Sequence, residues 1–152
     1  MLLQIPPQPG DAFGDRVFHR LASVLALPLP WVVEVRARSW FREDLGRVLA
    51  DTGAAPCLSI HHALPDLRTQ WRILGVKQAS ALHIRWNLAP GRRYEQAKRA
   101  FAPFDRLAAP DLEHRGQLAK AIHWALEHEK AAAIMVCVSR AAPGTDELVL
   151  DL

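Results

Sequence analysis

Cysteine is nearly absent: Cys57 and Cys137 are the only two in 152 residues. Two thiols cannot build a disulfide framework, and no Cys-x-x-Cys spacing offers a zinc or dithiol redox site. Each sits inside an apolar run, where cysteine reads as a small core residue. Long hydrophobic runs are also lacking. The longest, Ala131–Val138, falls far short of the roughly 20 residues a membrane helix needs, so no membrane partner is expected. The first residues lack the basic start and small-residue cleavage site of a signal peptide, which makes a cytoplasmic location the expectation. Blocks of like charge are missing too. The 19 basic and 16 acidic residues give a net charge of +3 spread along the chain. That excess permits a small anionic ligand and argues only weakly for nucleic acid. Neither a Walker nor a Rossmann glycine pattern is present, and no cofactor is implied.

What is there is ordinary globular composition, 50% hydrophobic and 23% charged, at a length expected for one domain over residues 1–152. Short apolar runs that suit strands covered on both faces occur at Leu2–Ile5, Trp31–Arg36, Pro56–His61, Ala81–Trp86 and Ala132–Val138. Helical patterns lie between them. Val17, Phe18, Leu21, Val24 and Leu25 share one helical face. A second helix opens at Ser39 as N-cap, carries Glu43 and Asp44 early, and stops at Gly53. A third runs from Asp66 to Leu74 and ends at Gly75. A fourth covers about Arg93 to Ala102, closed by Pro103. The last starts near Pro110-Asp111 and is expected to bury Leu118, Ala119, Ile122, Ala125 and Leu126, with His114, His123 and His128 solvated. The order β-α-β-α-β-α-β-α-β predicts an α/β fold of right-handed parallel (β/α) units.

Several ordered motifs carry a resemblance. Gln4-Ile5-Pro6-Pro7 looks like the Gln-Leu-Pro-Pro segment of the domain of unknown function 72 (YecE-like) family. Val33-Glu34-Val35-Arg36 followed by Ser39-Trp40-Phe41 resembles its Glu-Val-Arg…Ser-Trp signature. Ile84-Arg85-Trp86 with Pro90-Gly91-Arg92-Arg93-Tyr94 is similar to its Val-Arg…Tyr segment, and Phe104-Asp105-Arg106-Leu107 and Pro110-Asp111 continue in register. The resemblance implies a partial TIM barrel, with this chain supplying roughly strands four to eight of a (β/α)8 barrel; a whole barrel takes about 250 residues. The N-terminal half of the family pattern has no counterpart here, which reads as a truncated chain. Ser139-Arg140-Ala141-Ala142-Pro143-Gly144 stands where the family carries an Asn-Asn pair and a Gly/Ala-rich turn. The resemblance implies no particular activity.

Barrel enzymes place their chemistry at the C-terminal ends of the strands. Alternate positions there are polar: Gln4, Glu34 and Arg36, Ser59 and His61, His83 and Arg85, and Ser139. A buried carboxylate and guanidinium must pair. One Glu against two Arg leaves a positive excess suited to a carboxylate or phosphate. Glu34 and His61 are therefore the candidate catalytic residues, and Gln4, Arg36, Arg85, Arg92, Arg93 and Tyr94 the candidate ligand-binding ones. A purely structural ion pair is the competing reading for the Glu34 group. Solvated positions in a helical first turn are the competing reading for Arg92 and Arg93. No metal site is expected. His61 and His62, adjacent on a strand, would point to opposite faces, and only one could join His83. The leading reading is recognition of a small anionic or polar ligand. A non-catalytic, truncated paralogue that works as a binding or assembly partner, with a homodimer across an open sheet edge, is the alternative. A weak nucleic-acid binder is the third.

Overall fold

In a computed structural model, which describes residues 1–6, 15–86, 94–103 and 111–136, five strands form one sheet in the order β1-β2-β3-β4-β5, each pairing in parallel with the next. The strands are β1 (Leu2–Ile5), β2 (Val32–Val35), β3 (Ala55–Ile60), β4 (Ala81–Trp86) and β5 (Ala131–Val136). The helices are α1 (Asp15–Leu25), α2 (Glu43–Thr52), α3 (Leu67–Ile73), α4 (Tyr94–Phe101) and α5 (Leu112–Glu127), with short 3-10 turns at Arg38–Trp40 and Val76–Gln78. The predicted alternation is therefore the observed one. The sheet is not closed among the described residues, and the pattern is consistent with part of a TIM barrel.

Strand periodicity decides which side chains meet the helices. Val33 and Val35, Leu58 and Ile60, Leu82 and Ile84 occupy one face and pack with Phe18, Leu21, Leu25, Leu45, Leu49, Leu118, Ala121 and Ala125 of the helices in a single core. The intervening positions point to the opposite face, and Gln4, Glu34, Ser59, His83 and Arg85 are among them. Between α2 and α3 the approach is close. A Cβ placed on Gly46 would collide with the Ile73 carbonyl oxygen, so only glycine fits at this helix contact. Gly53 and Gly75 end α2 and α3 with φ of 70° and 64°, the left-handed geometry in which glycine is unstrained.

Four local expectations need correction. Ser39 lies within the 3-10 turn, and the N-cap of α2 falls three residues later, at Arg42, with no side-chain cap bond; Glu43 and Asp44 do occupy its first turn. Val24 is 43% exposed, leaving Phe18, Leu21 and Leu25 as the buried part of α1. The buried face of α5 is His114, Leu118, Ala121 and Ala125, while Ala119 and Leu126 face solvent. This helix is apolar on more than one side, so hydrophobicity alone could not choose its face; small Ala121 and Ala125 let it lie close against the sheet. Finally, His114 is buried, because its ring bonds Asp111 at 2.8 Å in the same cap where the Asp111 carboxylate accepts the His114 backbone N–H.

Cys57 is buried as expected. Cys137, Ser139 and Arg140 lie outside the described residues.

Candidate active site at the carboxyl ends of the strands

Parallel register places Gln4 beside Glu34, Glu34 beside Cys57, and Cys57 beside His83, while Ser59 pairs with Arg85 one step nearer the carboxyl ends. Glu34 is completely buried. Its Oε1 accepts from Ser59 Oγ at 2.8 Å and lies 3.2 Å from Arg36 Nε. Its Oε2 accepts from Arg85 Nη1 at 3.0 Å. A carboxylate taken out of water is tolerable only with such partners. Arg36 and Arg85 are each 22% exposed, so the two guanidiniums reach from the buried carboxylate toward solvent.

Two further groups complete the surroundings. With its side-chain oxygen turned toward Arg36, Gln4 accepts from Nη2 at 2.8 Å and from Nε at 2.5 Å. His61 follows the last residue of β3 and lines, with Gln4, Pro6 and Arg36, a pocket of about 550 Å³ at the ends of β1, β2 and β3. Because β3 stops at Ile60, strand alternation does not govern His61 and His62. Their rings lie together, with centroids 4.3 Å apart, rather than on opposite faces.

Below these groups is a residue that the sequence reading missed. The pairing of β2 with β3 runs only from Val32–Ala55 to Glu34–Cys57. Past that point the fully buried Gln70 of α3 takes over: its Oε1 accepts from Ser59 N at 2.9 Å, and its Nε2 donates to Ser59 O at 2.8 Å and Pro65 O at 2.6 Å. The amide thus continues the hydrogen bonding of β3 and holds the residue whose hydroxyl binds Glu34. A signal was present, since Gln70 is the polar member of the buried series Leu67, Gln70 and Leu74 along α3 and its C-cap.

The structure brings Gln4, Glu34, Arg36, His61 and Arg85 together. Arg92 and Arg93 lie outside the described residues, and Tyr94 enters only through its backbone, as the first residue of α4. Among the described residues no three His, Cys, Asp or Glu side chains gather as metal ligands.

His61 is held below its ordinary pKa of 6.5, first by burial and then by the charges of His62 and Arg36, with Glu34 opposing. Burial, followed by the amino terminus, lowers His83 in the same direction. The folded state then binds fewer protons than the unfolded chain. The stability contributed by the neutral rings is present above the unfolded value of 6.5 and lost as pH falls through the lower folded values. Urea midpoints should accordingly drop between about pH 7.5 and about pH 5.5. Replacing both rings (His61→Asn, His83→Asn) should flatten that dependence; an equally steep slope in the double variant would locate it in other groups.

A family model described as protein of unknown function DUF72 matches residues 1–145. The chain belongs to that family. No curated protein and no solved structure matched it. Several segments that resemble DUF72 sequences carry the clustered residues: Gln4-Ile5-Pro6-Pro7 supplies Gln4 and Pro6, Val33–Arg36 supplies Glu34 and Arg36, and Ile84–Trp86 supplies Arg85. Among the described residues, no helix of this DUF72 protein is long and apolar enough to cross a membrane.

Proposed function

We propose that this DUF72 chain forms an arc of a (β/α)8 barrel that binds a small anion, bearing a carboxylate or phosphate, at the carboxyl ends of its strands. The observation that carries the reading is one buried carboxylate bonded by two arginines at the strand ends, with Arg36 lining an open pocket beside Gln4 and His61. Arg36 and Arg85 contact the anion, and Gln4 orients Arg36. His61, whose lowered pKa favours the neutral ring, serves as general acid or base if a reaction follows. Glu34 acts through the arginines it fixes in place. The sequence adds Arg92, Arg93 and Tyr94 as further candidate anion contacts.

Titration with inorganic phosphate and with malonate, followed by calorimetry, tests the proposal. Arg85→Ala and Arg36→Ala should each weaken binding at least about tenfold, equivalent to about 1.4 kcal/mol, with far-ultraviolet circular dichroism unchanged. Undiminished affinity in both variants would sink it.

A second reading is a non-catalytic chain that assembles with another copy, supported by the two edge strands β1 and β5 that the described sheet leaves unpaired on one side. Light scattering that returns a monomer over a wide concentration range removes this reading.

A further inference from the structure

A second cluster of cations lies away from the strand ends, on the helical layer. Arg68 and Arg72 stand one turn apart on α3, and both are exposed. After them, Gly75 takes a φ of 64° and turns the chain into the Val76–Gln78 3-10 turn, which brings exposed Lys77 back beside the helix. Arg68, Arg72 and Lys77 line one pocket of about 540 Å³, together with the hydrogen-bonding side chains of Thr69 and Gln78. No carboxylate lines it, and among the described residues none of the three cations forms an ion pair.

The adjoining cavity, about 770 Å³, shares Arg72, Gly75 and Gln78 with this pocket and adds Lys130. It also contains Arg47, but that guanidinium is held by Asp44 at 2.6 Å. Arg72 in the last turn of α3 complements the helix dipole. That explanation does not extend to Arg68 in the first turn. Like charges at i, i+4 repel, and an anion lying across both would relieve that repulsion.

We propose that the α3–Val76–Gln78 pocket is a binding site for a small polyphosphate anion. Guanidinium forks from Arg68 and Arg72 grip neighbouring phosphoryl groups, and the Lys77 ammonium adds a point charge. A pocket of this size accommodates a small ligand. It lies on a different part of the fold from the proposed anion site at the strand ends and does not depend on it.

The probe is inorganic tripolyphosphate, titrated into the full chain with backbone amide shifts followed by NMR at low and moderate salt. Expected are saturable shifts over residues 66–79 that weaken as salt rises. In the Arg68→Glu, Arg72→Glu double variant those shifts should require at least about tenfold more ligand. These are surface positions, so the variant's spectrum elsewhere should overlay that of the parent. Shifts confined to the surroundings of Gln4, Arg36 and His61 would overturn the proposal, as would shifts at 66–79 that survive the double replacement. A response to a single-stranded oligonucleotide with none to tripolyphosphate would overturn it as well, since the surface would then read a nucleic-acid strand rather than a small anion.

Discussion

Glu34→Gln should destabilise the protein by about 3 kcal/mol, near the lower end of what removing one member of a buried ion pair costs. The substitution keeps the shape and leaves an oxygen that Ser59 Oγ can still bond, so packing changes little. What disappears is the negative charge shared by Arg36 and Arg85, which lie 3.2 and 3.0 Å from it. Both guanidiniums retain 22% exposure and some hydration, which holds the cost below that of a fully sealed pair. The measurement is urea unfolding at neutral pH with a shared m-value. A loss within about 0.5 kcal/mol, the range of ordinary surface substitutions, would mean that the carboxylate contributes little to holding the arginines. A triple replacement (Glu34→Leu, Arg36→Met, Arg85→Met) should recover much of the stability, because exchanging a whole buried ionic group for apolar side chains is often neutral. It should also abolish phosphate and malonate binding. Stability and binding would then part company, as expected if the ionic cluster is retained for recognition rather than for folding.

The strands and much of the site were legible because period-2 alternation assigns both faces of a parallel strand at once. In Val33-Glu34-Val35-Arg36 the valines go to the helices and the charges to the opposite face, and the same holds for Ser59, His83 and Arg85 against Leu58, Leu82 and Ile84. Parallel pairing then makes convergence of Glu34, Arg36 and Arg85 almost a matter of register. Helix faces were less legible. On α5, apolar side chains on several sides left the choice to contact distance, which favours Ala121 and Ala125 over the larger Leu126. Contacts made by a side chain to the backbone were not legible at all. Gln70 reaches the Ser59 backbone across 11 residues, a partner that periodicity does not encode, since a backbone group has no sequence signature. The pairing of the His114 ring with the Asp111 carboxylate escapes periodicity as well. His61 fell between the two cases: it lines a pocket with Arg36, but β3 ends one residue too early to orient it.

The same contact yields the other large effect. Gln70→Leu should cost roughly 3 kcal/mol, since Ser59 N–H, Ser59 C=O and Pro65 C=O would lose their partner in a buried setting where each unsatisfied group costs about 1–3 kcal/mol. Gln70→Glu discriminates more sharply. One carboxylate oxygen could still accept from Ser59 N–H, but the other would face two carbonyl oxygens and must carry a proton to bond either. Its folded pKa would therefore rise above the unfolded value of about 4.3. The folded state then binds the extra proton, so the variant's stability is greatest below that value and is lost as pH rises through the folded pKa. Measured against the parent at each pH, the deficit of Gln70→Glu should be severe near neutrality and shrink toward about pH 4.5, while that of Gln70→Leu stays flat. If both deficits were flat and small, Gln70 would not be the group that holds Ser59 in place. Ser59 would then reach Glu34 by the conformation of β3 alone, and the interior of the site would owe its geometry to the strand rather than to α3.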